Sequence, residues 1–155
     1  MSKWIPVMLL MLLATPAAAE APASEQATAK PLPKVHVYKT PTCGCCGKWV
    51  KHMRDNGFEV ETTDMRSLDE VKALNGVPTN LSSCHTALVG GYVVEGHVPA
   101  SDVIRLLAER PSVTGIAVPR MPIGSPGMEG ANPERYSVVT FDSDAPSTTF
   151  AVHGP

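Results

Sequence analysis

The residues of this chain best suited to chemistry are three cysteines within four positions, Cys43, Cys45 and Cys46. A β-leaning run over residues 35–38 precedes them, and a helical apolar pattern over residues 49–53 follows. A strand that turns into a helix here places the sulfurs at the helix N-terminus, where unpaired N–H groups and the helix dipole favour thiolate over thiol. Thiolate binds soft metal ions and also attacks disulfides. The segment therefore predicts one of these two activities.

Metal binding by these sulfurs would favour copper. Thiolates are soft donors that suit Cu(I), whereas Ca²⁺ and Mg²⁺ take oxygen ligands. The fourth cysteine, Cys84, could close the site, and because a thiolate can bridge two soft ions we expect more than one Cu(I) per reduced chain. Zinc is the second choice. Structural zinc usually takes its cysteines from two separated pairs, whereas here three cysteines lie in one turn.

The auxiliary ligand candidates are two methionines and a histidine. Met121 and Met128 lie in a Gly/Pro loop, where a thioether can bind Cu(I) or fill a surface gap. His85 follows Cys84 directly and could add a nitrogen, although adjacent side chains of an extended segment point to opposite faces. His97, which comes shortly before a proline and a helix, fits capping or packing better than ligation.

Disulfide chemistry is the alternative. In an exported protein an even cysteine number indicates bridges. The geometry of a disulfide permits Cys43–Cys46, or one of the three clustered cysteines with Cys84. Under this hypothesis the chain is a thiol–disulfide oxidoreductase that uses Cys43 and Cys46, with Cys45 or Cys84 as the resolving thiol.

Export is predicted by the first residues. Lys3, an apolar run over residues 5–13 and the small residues 17–19 have the order of a cleavable signal peptide, which we assign to residues 1–19. This predicts a periplasmic protein that is not membrane-bound after cleavage. A net charge of −2 without a Lys/Arg run argues against nucleic acid as a partner.

The rest of the chain divides by composition and periodicity. We predict a disordered linker over residues 20–33, a copper-binding domain over residues 34–142, and a C-terminal tail over residues 143–155. Within the domain the predicted order is β-α-β-α-β-β-α, an α/β sheet with flanking helices. The details are a helix capped by Thr42, a hairpin at Gly90-Gly91, a long Gly/Pro loop over residues 112–132, and a last strand over residues 136–141 with residues 148–152 as its candidate partner. Met53 is predicted to lie in the core.

This order, the C-x-x-C spacing of Cys43 and Cys46, and a Val-Pro-Thr segment around Pro78 resemble the thioredoxin superfamily. The resemblance implies a thioredoxin-like fold with a cis peptide bond at Pro78.

A narrower resemblance comes from the extra Cys45, the Ser-Cys-His-Thr segment at residues 83–86, the Gly-His-Val-Pro-Ala segment at residues 96–100, and the loop at residues 121–130. Together they resemble the CopG family of periplasmic copper-resistance proteins over residues 35–141. This resemblance implies copper binding by the cysteines in a sulfur-bridged cluster with a redox role, which would make the chain a copper oxidoreductase. Other periplasmic copper-handling proteins are then candidate partners.

Overall fold

The strand–cysteine–helix unit of the sequence is the first unit of a mixed sheet. The structure, a computed structural model, describes Met1 and residues 31–155. The predicted signal peptide and most of the predicted linker lie outside the described residues. None of the described helices is long and apolar enough to cross a membrane.

The elements follow the predicted order and then continue beyond it. The strands are β1 (Val35–Lys39), β2 (Val60–Asp64), β3 (His85–Val89), β4 (Tyr92–Glu95), β5 (Gly115–Ala117), β6 (Tyr136–Phe141) and β7 (Thr149–His153). The helices are α1 (Gly44–Asp55), α2 (Asp69–Leu74) and α3 (Ala100–Glu109), with a 3-10 turn at Thr79–Leu81. The sheet order is β2-β1-β3-β4-β5-β6-β7.

The pairing pattern is that of a thioredoxin-like fold, so the predicted fold class is confirmed. Strand β1 pairs in parallel with β2 and antiparallel with β3, and β3 forms an antiparallel hairpin with β4. The Gly90-Gly91 turn of this hairpin is confirmed. Both glycines have positive φ, at 57° and 91°, which suits the tight turn between two twisted strands.

The core explains how α1 is held against the sheet. Val35 and Val37 of β1 point to the same face and are fully buried. Trp49 and Met53 of α1 pack in the same cluster, and the Trp49 indole N–H donates to Val98 O at 2.8 Å. The predicted core position of Met53 is confirmed. These contacts, made about one helical turn after the cysteines, hold the N-terminal part of α1 against the sheet.

Two local predictions at the cysteine end are wrong. The N-cap of α1 is Cys43 rather than Thr42, because Cys43 Sγ itself accepts the Cys46 N–H. The described residues contain no cis peptide bond, so Pro78 is trans. Pro78 has extended backbone angles and precedes the 3-10 turn, a position that a trans proline suits.

The C-terminal third contains more sheet than the sequence indicated. Strand β5 lies inside the region predicted to be loop, and pairs in parallel with β4. Its three residues are too few to show an alternating pattern. The interval 143–155, set apart as a tail, contributes β7, which pairs antiparallel with β6 as the sequence had suggested for residues 148–152.

Candidate metal centre

The first half of the centre is the N-terminal turn of α1. Cys43 and Cys46 are joined by a disulfide with a Cα–Cα distance of 5.3 Å, one of the pairings that the spacing permits. Cys46 is buried, whereas Cys45 is half-buried and free. The turn therefore presents the Cys45 thiol beside a bridge that must be reduced before all three sulfurs can act as thiolates.

Cys84 brings the fourth sulfur to this turn from the segment just before β3. The ligand atoms of Cys43, Cys45, Cys46 and Cys84 all lie within 4.8 Å of one another. Cys45 Sγ is 3.5 Å from Cys43 Sγ and 3.9 Å from Cys84 Sγ. The chain thus gathers all four of its cysteines at one place.

Two histidines lie close to Cys84 and extend the centre beyond the four sulfurs. His97 Nε2 lies 2.9 Å from Cys84 Sγ, and His85 Nδ1 lies 3.4 Å from the same sulfur. The Nδ1–H of His97 donates to Pro126 O at 2.8 Å, which leaves Nε2 as the unprotonated nitrogen facing Cys84. Both imidazoles are fully buried. His85 Nε2 has no hydrogen-bond partner among the described residues.

Burial favours the neutral forms of the Cys84 thiol and of the two imidazoles in the metal-free protein. It raises the pKa of the Cys84 thiol to about 12, with the neighbouring Cys45 acting in the same direction. Burial also lowers the pKa of His97, and it lowers that of His85 well below its ordinary value. A neutral imidazole can accept the Cys84 S–H or bind a metal ion. Metal binding by Cys84 would therefore release its proton.

The loop after β5 covers the N-terminus of α1. Gly127 has φ 86°, and a Cβ at this position would lie 2.7 Å from Cys45 O and 3.0 Å from Trp49 N. Only glycine permits so close a contact between the loop and the helix. The Pro126 carbonyl that orients His97 belongs to the same turn, so the loop closes over the centre and also directs one of its nitrogens.

The two candidate methionines differ in placement. Met128 is half-buried and lines a groove of about 420 Å³ together with Cys45 and Lys48. Met121 has an exposed fraction of 46% and does not line that groove. The structure thus places Met128, but not Met121, on the open side of Cys45.

The two histidines show where sequence reasoning was incomplete. An extended segment would direct the side chains of Cys84 and His85 to opposite faces, but Cys84 precedes β3, so strand alternation does not separate them. His97 was interpreted as a capping or packing residue. The hairpin register contained the missing signal: Thr86 pairs with Glu95 and the His85 carbonyl accepts the Gly96 N–H, so the next position brings Cys84 opposite His97.

Comparison with solved structures identifies the family. A structure titled "Copper resistance protein copG- Form 2" has 40% sequence identity to this chain and a TM-score of 0.75, and the match covers 79% of this chain and 99% of that one. The chain belongs to the CopG family. The structure titled "Copper resistance protein copG- Form 1" gives the same identity and TM-score, with 81% of this chain and 100% of that chain covered.

A family profile described as "Protein of unknown function, DUF411" matches residues 81–128 of this CopG family member. The match contains Cys84, His85, His97, Met121 and Met128, and excludes the three clustered cysteines. None of the curated proteins is detectably similar to the chain.

Proposed function

We propose that this chain is a periplasmic copper-binding protein that holds Cu(I) in a cysteine-bridged multinuclear centre and contributes to copper resistance. The observation that carries the proposal is the convergence of all four cysteine sulfurs within 4.8 Å. The names of the two related structures, both copper resistance proteins, support copper as the metal. Met121, Met128 and His85 are proposed as auxiliary ligands, and His97 joins them because of its distance to Cys84.

The donor set fits copper better than zinc. Thiolate and thioether are soft donors that suit Cu(I), and three of the four sulfurs come from one turn, whereas structural zinc usually takes its cysteines from two separated pairs. Thiol sulfurs 3.5–3.9 Å apart can share metal ions once they lose their protons. One sulfur can then bind two Cu(I) ions at once. A bridged centre therefore needs fewer sulfurs than separate sites for the same number of ions.

The Cys43–Cys46 bridge gives the centre a redox partner. A thiol reductant opens the bridge: two external thiols become one disulfide, and Cys43 and Cys46 become thiols. In the reverse direction, these two thiols can give one electron to each of two Cu(II) ions, which yields two Cu(I) ions, the bridge and two protons. We propose that Cu(I)/Cu(II) interconversion runs by this route in the direction of Cu(II) reduction, after which the thiol reductant restores the two thiols.

The same bridge favours a second candidate function, thiol–disulfide exchange through Cys43 and Cys46. Cys45 separates the two hypotheses, because exchange confined to Cys43 and Cys46 does not need it, whereas a four-sulfur centre does. We expect the reduced chain, titrated anaerobically with Cu(I), to bind more than one ion per chain.

The test compares Cys45→Ser with the wild type under the same conditions. The variant should bind fewer Cu(I) ions, and His36→Gln, which changes a histidine on β1, should match the wild type. Unchanged copper uptake in Cys45→Ser, together with full disulfide-exchange activity, would favour the oxidoreductase. The oxidised chain, with its bridge intact, should bind less Cu(I) than the reduced chain.

A further inference from the structure

Glu95, the last residue of β4, carries a carboxylate that is fully buried close to the centre. A buried carboxylate is tolerated only when hydrogen bonds and an opposite charge compensate for the lost water. Glu95 Oε1 accepts the Ser83 N–H at 2.6 Å, and Oε2 accepts the Thr86 hydroxyl at 2.7 Å. The Lys72 ammonium of α2 donates to Oε1 and supplies the opposite charge.

The partners of Glu95 lie on both sides of Cys84 in the chain. Ser83 precedes Cys84 directly and Thr86 follows two residues later. The Ser83 hydroxyl is also held, since it donates to Arg120 O at 2.5 Å. Cys84 itself belongs to no strand, so its position depends on these neighbours rather than on a sheet ladder.

We propose that Glu95 is a positioning residue for Cys84, whose carboxylate holds the Ser83 amide before the thiol and the Thr86 side chain after it, so that the sulfur faces Cys45 and His97. The inference rests on the proposed function for its copper measurement alone. Lys72 neutralises the buried carboxylate and ties α2 to the same segment.

An ion pair that only stabilises the fold would make the same contacts. The variant must therefore change the position of Cys84 without lowering the stability of the protein. Lys72→Met/Glu95→Leu replaces a buried ion pair with apolar residues of similar volume, a change that is often neutral for stability. It leaves both the Ser83 N–H and the Thr86 hydroxyl without their acceptor. Asp102→Asn is the matched control, because Asp102 is also a buried carboxyl group with a side-chain partner, His153, and it is not among the residues placed to hold a metal ion.

The first measurement uses the metal-free protein. In Cys45→Ser with the Cys43–Cys46 bridge intact, Cys84 is the one free thiol of the four cysteines. We expect Lys72→Met/Glu95→Leu to raise the rate of Cys84 alkylation by iodoacetamide by at least about tenfold, because the variant loses the two hydrogen bonds from Glu95 to the Cys84 segment, which together are worth at least the free energy of a tenfold change. Asp102→Asn should leave that rate unchanged. A rate within about twofold of the parent, or an equal rise in Asp102→Asn, would overturn the proposal.

The second measurement is a double-mutant cycle on Cu(I) affinity in the reduced chain, read by competition with a colorimetric Cu(I) chelator. If Glu95 acts through Cys84, Lys72→Met/Glu95→Leu weakens binding about tenfold in the wild type and adds nothing in Cys84→Ser. Additive losses would contradict it. Should the wild type bind no Cu(I), the proposed function fails, whereas the alkylation result still decides the role of Glu95.

Discussion

At the scale of single residues, His97 is notable because both of its ring nitrogens have defined neighbours. Nδ1–H donates to Pro126 O, and Nε2 faces Cys84 Sγ at 2.9 Å. The hydrogen bond at Nδ1 selects the tautomer whose free lone pair points into the centre. His36, by contrast, is half-buried on β1 and contacts Thr63.

Replacement of His97 should therefore weaken copper binding. We expect His97→Gln to raise the Kd for Cu(I) about 10- to 100-fold, the usual cost of removing a group that orients or supplements metal ligands. Anaerobic competition with a Cu(I) chelator measures the change, and His36→Gln is the control. Equal affinities for His97→Gln and the wild type would show that this imidazole only packs.

At the scale of elements, the contact between the covering loop and α1 depends on Gly127. An alanine there would place its Cβ 2.7 Å from Cys45 O and would adopt a strained positive φ. We expect Gly127→Ala to lower the free energy of unfolding by about 1–3 kcal/mol, measured by chemical denaturation of the metal-free protein.

Gly47 is the matched control for this prediction. It lies inside α1, and a Cβ there would meet nothing within 4 Å. Gly47→Ala should raise the free energy of unfolding by about 0.5–1 kcal/mol, because alanine loses less backbone entropy in a helix than glycine does. If both variants were equally stable, the close loop–helix contact would be contradicted.

The N-terminus of α3 is capped by a histidine of another helix. Pro99 precedes it and makes no side-chain cap, and the Ala100 N–H donates to His52 Nε2 of α1 at 3.0 Å. Partial burial lowers the pKa of His52, although Glu129 and Asp55 oppose this shift. Only the neutral imidazole can accept this hydrogen bond.

The stability of the metal-free protein should therefore depend on pH through His52. Because the folded-state pKa is lowered, the unfolded chain binds the proton more readily, and stability falls as the pH drops below about 6.5 and through the folded-state pKa. His52→Gln keeps an acceptor oxygen without the titration. Its stability should fall less than that of the wild type between about pH 7.5 and 5.5, when both are followed by thermal unfolding. Identical pH profiles would exclude this role for His52.

At the scale of the whole molecule, α3 joins the C-terminal hairpin to the core. The Arg105 guanidinium lies 3.8 Å from the centre of the Phe150 ring and donates to Phe150 O at 2.6 Å. His153 Nε2 lies 2.6 Å from Asp102 Oδ2, and the Asp102 side chain is almost fully buried. The last strand thus supplies the hydrogen-bonding partner of a buried carboxyl group on α3.

Loss of the His153 imidazole should destabilise the fold. We expect His153→Ala to lower the free energy of unfolding by about 1–3 kcal/mol, because Asp102 is left as a buried carboxylate without its partner. Chemical denaturation measures this. His36→Ala, which breaks a more exposed pair with Glu61, should leave the free energy of unfolding nearly unchanged, because solvent screens that pair. A cost for His153→Ala no larger than that of His36→Ala would mean that solvent compensates Asp102.

Local rules were sufficient for part of this protein. The strand, the cysteine turn and α1 follow one another within about twenty residues, so propensity and spacing determine them, although the cap proved to be Cys43 and not Thr42. The Gly90-Gly91 hairpin and the option of a Cys43–Cys46 bridge have the same origin. The family resemblance also depended on short segments that can be read directly from the sequence.

Tertiary structure decided which distant groups meet those cysteines. Cys84 and His97 lie beside them because the sheet places β3 next to β1 and the hairpin register aligns residue 84 with residue 97. Strand β5 forms because β4 and β6 offer it hydrogen bonds on both sides, and Glu95 can be buried because α2 and the segment around Cys84 both supply partners for its carboxylate. The sequence by itself determined which sulfurs this protein has and where its first turn holds them. Contacts between residues far apart in the chain, which no local pattern encodes, decided what surrounds those sulfurs.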